Sequence, residues 1–373
     1  MDLLEAEGFV GLGEFAEAAV VGGDGVPTSW GRLRAILAHV EKHRAAAACA
    51  GRGCRVLHAA RHDALIARKE GSRRDPRGER QMRIGFVGLG NMGGPMCRNM
   101  MKGVNHEVVV HDLNPEAVRA CTEAGATAAE SLAALAASCD LIFTSLPTPK
   151  AVEAVVDGIA PNIRPGTAMF DLSTNAPAVV KRLHAILAEK GVALLDAPVT
   201  GGVVRATDGT LVVMVGGEEA VFEQHRSILA AFSGQLVHVG PVGSASVAKL
   251  INNMLLLCNS AAAAEGLMIG AKAGIDMGKL TAIIQNGSGD SAGMRGLAAR
   301  ALKGEFKASF ALDLAYKDLG LAVDLEAEYG VPGLLAPQAL ALLRMARGMG
   351  FGQLDTTAML KVYESILGCE ARL

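Results

Sequence analysis

The sequence is poor in charge. Only 20% of its 373 residues are charged and the formal net charge is −2. Nothing global marks the chain for nucleic acid or an anionic membrane surface. It has seven cysteines (49, 54, 97, 121, 139, 258 and 369) and no Cys-x-x-Cys pair, and none of the five from Cys97 onward stands at zinc spacing from another cysteine or a histidine. The odd count speaks against a closed disulfide framework for these cysteines. They read as thiols of a reducing compartment, the cytoplasm before the mitochondrial matrix. Uninterrupted apolar runs are missing too. The most apolar stretch, Met254 to Ala273, is broken by Asn259, Glu265 and Lys272. A membrane span needs ~20 nearly uncharged residues, so this stretch reads as a helix buried in protein. Hydrophobic residues, by contrast, make up 50% of the chain, which excludes global disorder. The 45 glycines suit many tight turns and close backbone approaches, and the length suits two or three domains.

Residues 1–81 differ from the rest. Residues 1–41 carry seven acidic and two basic side chains; residues 42–81 carry four acidic and eleven basic ones. Asp2, Glu5, Glu7, Glu14 and Glu17 argue against a mitochondrial transit peptide, and no apolar core follows a basic start as in a secretory signal. The run Arg73-Arg74-Asp75-Pro76-Arg77 reads as a solvated tail before a nucleic-acid arm. The expectation for 1–81 is an extension, disordered or a mis-assigned upstream stretch, with folded chain starting at Met82.

From Met82 on, strand-length apolar runs recur at Arg83–Val87, Glu107–His111, Asp140–Ser145, Thr167–Asp171, Val192–Asp196, Leu211–Val215 and Leu236–Val239. Helix-like stretches lie between most of them, one opened by the capping signal Asn114-Pro115-Glu116. This alternation predicts a mostly parallel sheet with helices on both faces, and continuous apolar strands fit its buried position. After about Gly243 only helical periodicity remains. The expected division is an α/β domain over 82–244 and an all-α C-terminal domain over 245–373.

Gly88-Leu89-Gly90-Asn91-Met92-Gly93 stands between the first strand and a helix. Gly88 allows the tight turn, Gly90 lets backbone approach a pyrophosphate, and Gly93 lets helix pack on strand. The helix N-terminus then offers free N–H groups to phosphate. Asp112 ends the second strand near the ~20-residue distance expected of a ribose-binding acid. With Leu113 next, where a 2′-phosphate would call for Arg or Lys, the predicted cofactor is NAD bound by a Rossmann-type domain.

Other motifs follow strands or mark helix faces. Leu146-Pro147 and Ser173-Thr174 follow the third and fourth long strands, where ligands of such folds sit. Asp196-Ala-Pro-Val-Thr200-Gly201-Gly202 offers a hydroxyl and two uncovered N–H groups, a nest for a carboxylate or an ordinary turn. Lys249 and Asn253 are i and i+4 on one helix face among apolar neighbours. A lysine desolvated there has a lowered proton affinity and suits proton transfer near neutral pH; the alternative is a snorkelling side chain. Lys317-Asp318 reads as a cofactor contact or a plain helical ion pair. His111, His184, His225 and His238 sit in no motif.

Together these residues resemble the β-hydroxyacid dehydrogenase family, the group of 3-hydroxyisobutyrate dehydrogenase and tartronate semialdehyde reductase. The likeness runs from Met82 to about Leu367 and rests on the segments 88–93, 196–202, 243–253 and 317–319. Phe351-Gly352-Gln353-Leu354-Asp355 is similar to the family's C-terminal Gly-x-x-Asp segment and adds Asp355 to the substrate side. The resemblance implies Lys249 as acid/base, Asn253 on the substrate hydroxyl, and Thr200, Gly201 and Gly202 on its carboxylate. It implies Leu146, Pro147, Thr174 and Lys317 on NAD, and a homodimer or homotetramer built through the helical halves. Thr200 stands where Ser is usual. The expected reaction interconverts a short 3-hydroxy acid and its semialdehyde, with 3-hydroxyisobutyrate first and tartronate semialdehyde second. A non-catalytic NAD-binding scaffold would lack the lysine or the Thr-Gly-Gly segment, and both are present.

Overall fold

Strand and helix alternate through the first half as the apolar runs require. A computed structural model describes residues 81–373; the expectations for residues 1–80 lie outside the described residues. The order is β1 (Arg83–Val87), α1 (Gly93–Gly103), β2 (Glu107–His111), α2 (Pro115–Thr122), β3 (Thr127–Ala128), α3 (Leu132–Ser138), β4 (Leu141–Thr144), α4 (Pro149–Ile159), β5 (Ala168–Asp171), α5 (Pro177–Ala188), β6 (Ala193–Asp196), β7 (Val199–Thr200), α6 (Gly202–Asp208), β8 (Leu211–Gly216), α7 (Glu219–Ala230) and β9 (Ser233–Gly240). The α2 start carries the expected cap: the Asn114 side chain accepts from the Glu116 N–H, with Pro in the first turn.

The strands form one mixed, mostly parallel sheet in the order β3-β2-β1-β4-β5-β6-β8-β7, with β9 beside β8. β1 to β6 pair in parallel, while β6 and β7 both pair antiparallel to β8. The registers Asp196↔Gly216, Val199↔Val213 and Thr200↔Val212 run without slip, so β7 continues β6 past the Ala197-Pro198 break along the same edge of β8. The order reverses between β1 and β4, and in such sheets ligands bind outside the strand carboxyl ends at that point. Phe86, Phe143 and Phe170 are register partners on adjacent strands, and their rings stack at 5.8 and 5.7 Å between centroids. They anchor one apolar layer; Val87, Val109, Ile142 and Met169 belong to the opposite one.

The second half is helical: α8 (Ser244–Lys272), α9 (Met277–Asn286), α10 (Ala292–Ala299), α11 (Leu312–Glu328), α12 (Ala336–Gly348) and α13 (Leu360–Leu367). α8 is its axis. It presents Leu250, Leu257, Ala264, Leu267 and Met268 to a third apolar cluster. A Cβ on Gly293 would lie 2.5 Å from the Ser260 hydroxyl, so small residues let α8 and α10 meet closely. The expectation of a buried helix holds for one side of it. By length and composition α8 could cross a membrane, with 33% of its apolar window buried. One side is in the core and the other exposes Ile251, Leu255 and Ile269.

Candidate active site

The glycine loop fulfils three separate steric demands. Gly88 has φ +91°, and a Cβ there would collide with the Ser145 carbonyl; one on Gly93 would collide with the Gly88 carbonyl. Around Gly90, by contrast, a Cβ meets no protein atom within 4 Å, so the space beside it is open. The α1 N-terminus just beyond has no side-chain cap and no acidic residue in its first turn, which leaves its partial positive charge for an external anion. Asp112 closes this arrangement. Its carboxylate accepts from the Leu89 N–H at 2.5 Å and the Asn114 N–H at 2.7 Å, tying the loop to the end of β2. Leu113 beside it is 95% exposed. An open, uncapped glycine loop with a carboxylate at the adjoining strand end fits a dinucleotide, with Asn91 and Met92 at the loop tip.

A second polar group orders the next loops. The Thr144 hydroxyl donates to buried Asp171 at 2.8 Å, and Asp171 also accepts from the Ser173 N–H at 3.1 Å and the Asn175 amide at 3.4 Å. Burial pushes the Asp171 carboxyl up, against the opposing effect of these bonds. The Ser173 hydroxyl in turn accepts from the Leu146 N–H at 2.9 Å. Leu146-Pro147 and Thr174 are thus held in one hydrogen-bonded assembly at the carboxyl ends of β4 and β5. The sequence marks Asp171 and Asn175 only by a polar run that closes an apolar strand.

The lysine-bearing helix is fastened to the sheet from below. Asp196, at the end of β6, accepts from the Gly243 N–H at 2.8 Å, the Ser246 N–H at 2.7 Å and the Ser246 hydroxyl at 2.9 Å. A buried carboxylate thereby caps α8, and burial raises its own pKa. One turn later Lys249 is 8% exposed. Desolvation lowers its pKa to about 8, with Lys317 acting in the same direction and Asp318 opposing. Asn253, buried on the same face, donates to Asp318 at 2.7 Å.

Asp318 is the hub of this cluster. Its other oxygen pairs with the Lys317 ammonium at 2.8 Å, and Lys317 also donates to the Thr174 carbonyl at 3.0 Å. Lys317 thus makes the expected helical ion pair and also reaches the cofactor-side loop. On the other flank the Asn252 side-chain amide donates to the Asn253 side-chain oxygen Oδ1 at 3.1 Å and lies 3.5 Å from the Thr200 hydroxyl. The fold therefore joins Thr174, Lys317, Asp318, Asn253, Asn252 and Thr200, with Lys249 facing Asp318. Gly201 and Gly202 follow Thr200 at φ +133° and +70°, a turn only glycine enters without strain.

Asp355 does not join this group. It is 2% exposed, and its carboxylate accepts from Ser309 N–H and hydroxyl, Phe310 N–H, and Thr357 N–H and hydroxyl, with Arg300 at 3.6 Å. Burial is the largest single influence and would raise its pKa, but these donors together outweigh it and hold the carboxyl below the usual carboxylate value. The expectation that Asp355 contacts substrate is corrected: its oxygens are occupied by protein, and it fixes the segment leading into α11. Among the described residues no group of three or more His, Cys, Asp or Glu could hold a metal.

Residues 83–240 match the family described as the NAD binding domain of 6-phosphogluconate dehydrogenase, and residues 243–363 match that described as NAD-binding of NADP-dependent 3-hydroxyisobutyrate dehydrogenase. The 2-(hydroxymethyl)glutarate dehydrogenase of Eubacterium barkeri is 39% identical over 78% of this chain and 97% of its own. The mitochondrial 3-hydroxyisobutyrate dehydrogenase of Homo sapiens is 34% identical over 74% of this chain and 85% of its own. The solved Mycobacterium tuberculosis 3-hydroxyisobutyrate dehydrogenase with L-serine superposes at a TM-score of 0.69, with 30% identity, 75% of this chain and 98% of that one covered.

Proposed function

Because the chain belongs to the β-hydroxyacid dehydrogenase family, we propose that it interconverts a short 3-hydroxy acid and its semialdehyde at the Lys249 cluster, with 3-hydroxyisobutyrate the leading substrate and NAD preferred to NADP. That it is a hydroxyacid dehydrogenase using NAD(P) follows from the family itself. The observation that carries the finer reading is a buried lysine of lowered pKa beside a buried amide, one turn along a capped helix.

When bound, the nicotinamide exchanges hydride with the carbon bearing the hydroxyl. Everything else falls to the chain. In oxidation, neutral Lys249 takes the hydroxyl proton at Nζ; in reduction, the ammonium returns it, so charge does not build up on oxygen. Asn253, held by Asp318, is directed at that hydroxyl. Thr200 and the N–H groups of Gly201 and Gly202 take the carboxylate. Gly88, Leu89, Gly90, Asn91, Met92 and Gly93 receive the pyrophosphate, Asp112 the ribose, and Leu146, Pro147, Thr174 and Lys317 the nicotinamide half. The Asp112 carboxylate beside an apolar Leu113 supports the NAD preference, since it repels a 2′-phosphate.

The reading includes a second copy of the chain along the exposed side of α8 and a reducing, cytoplasmic setting in which Cys97, Cys121 and Cys139 stay buried thiols. A panel of short hydroxy acids and semialdehydes, followed by absorbance of the reduced nicotinamide, tests it. Turnover of 3-hydroxyisobutyrate with NAD, at about tenfold or greater advantage over NADP, is expected. No turnover of any 3-hydroxy acid would overturn the reading, and an NADP preference would overturn its cofactor part.

A further inference from the structure

Arg205 lies on α6, one turn past the Gly201–Gly202 turn, and its stem folds back over that turn. A Cβ on Gly201 would lie 2.6 Å from Arg205 Cδ and 2.9 Å from its Cβ. The absence of a side chain at Gly201 is thus what gives the arginine stem its place. Arg205 is exposed. Most arginines among the described residues sit on a carboxylate, as Arg83, Arg119, Arg164, Arg182, Arg226 and Arg295 do. The Arg205 guanidinium makes no ion pair or hydrogen bond with any described residue. Here is a permanent cation with five donors, left without a counter-ion at the rim of the turn whose Thr200 hydroxyl meets Asn252 on α8.

We propose that Arg205 is a specificity residue that takes a second carboxylate, one carried on the substituent next to the reacting alcohol. The substrate class then extends to 3-hydroxy diacids: a primary alcohol, a first carboxylate for the Thr200–Gly202 turn, and a second at the end of a flexible arm. The proposal rests on the reading of the Lys249 cluster given above and extends it. A guanidinium suits this task because it binds a carboxylate through two parallel N–H bonds and stays charged at every working pH. Its long stem, resting on Gly201, keeps it at the edge of the site, where it can reach an extended arm.

Steady-state kinetics with NAD test it, using 3-hydroxyisobutyrate and 2-(hydroxymethyl)glutarate as the mono- and diacid probes for the wild type, Arg205→Gln and Arg205→Lys. The wild type is expected to turn over the diacid as well as the monoacid. Arg205→Gln should lose about tenfold or more in kcat/KM on the diacid relative to its loss on the monoacid, mainly through KM, the scale of one charge-assisted contact. Arg205→Lys should recover part of that difference, and melting temperatures of the three proteins should coincide. Equal losses on both substrates would overturn the proposal, since Arg205 would then serve the shared carboxylate or the fold. So would wild-type turnover of the monoacid alone, with the Lys249 reading intact. Turnover of neither acid would overturn both.

Discussion

At the scale of single residues, a shifted acid–base balance explains the site. Lys249 has a pKa of about 8 because burial strips water from its ammonium, and Asp318 restores part of the loss. The sign of the pH dependence follows. Oxidation needs neutral lysine, so its kcat/KM should rise with pH and level off above about 8; reduction needs the ammonium and should fall across the same range. Asp318→Asn removes the carboxylate that favours the charged form. Its oxidation profile should therefore shift to lower pH, with turnover reduced because Asn253 loses its charged acceptor. A profile unmoved in this variant would deny Asp318 its positioning role. The Lys249–Asn253 pair was legible in the sequence, because i and i+4 spacing on an apolar helix is a local property. The function of Asp318 was not, since its bond to Asn253 spans 65 positions and no local pattern encodes such a contact. Asp355 misled for the same reason: only the folded chain brings Ser309, Phe310 and Thr357 onto its oxygens.

At the scale of elements, two glycines of one loop should respond oppositely to the same methyl. Gly93→Ala drives a Cβ into the Gly88 carbonyl, whereas Gly90→Ala meets open space. Gly90→Ala should leave stability within about 0.5 kcal/mol of the wild type while weakening NAD binding, and Gly93→Ala should lower the melting temperature as well. Calorimetry with and without NAD distinguishes them; equal effects would contradict the division of roles. The long strands and the α2 cap were readable because burial imposes apolar runs and capping imposes Asn-Pro. The two-residue strands β3 and β7 were not, since neither is long enough to carry a period. β7 exists because β6 resumes its ladder with β8 after Pro198, a tertiary circumstance.

At the scale of the whole molecule, the sheet reverses order between β1 and β4, and the glycine loop and the Leu146 loop lie at the carboxyl ends of those two strands. Asp196 then couples sheet to helix by capping α8. The half of α8 that faces away carries Ile251, Leu255 and Ile269 at 46%, 52% and 66% exposure, an apolar stripe that a second copy would cover. Light scattering should report a dimer or larger assembly, and Leu255→Lys with Ile269→Glu should shift it toward monomer. A wild-type monomer at micromolar concentration would contradict this. The stripe is hidden in the sequence, where apolar content alone does not tell a buried side from an exposed one.

The account's central claim is that the Lys249 amine carries the proton of the reaction. Turnover of Lys249→Ala with 3-hydroxyisobutyrate and saturating NAD, on protein shown to bind the dinucleotide as the wild type does, addresses it most directly. A fall of about a hundredfold or more with unchanged NAD affinity is predicted. Wild-type turnover in that variant would contradict the claim.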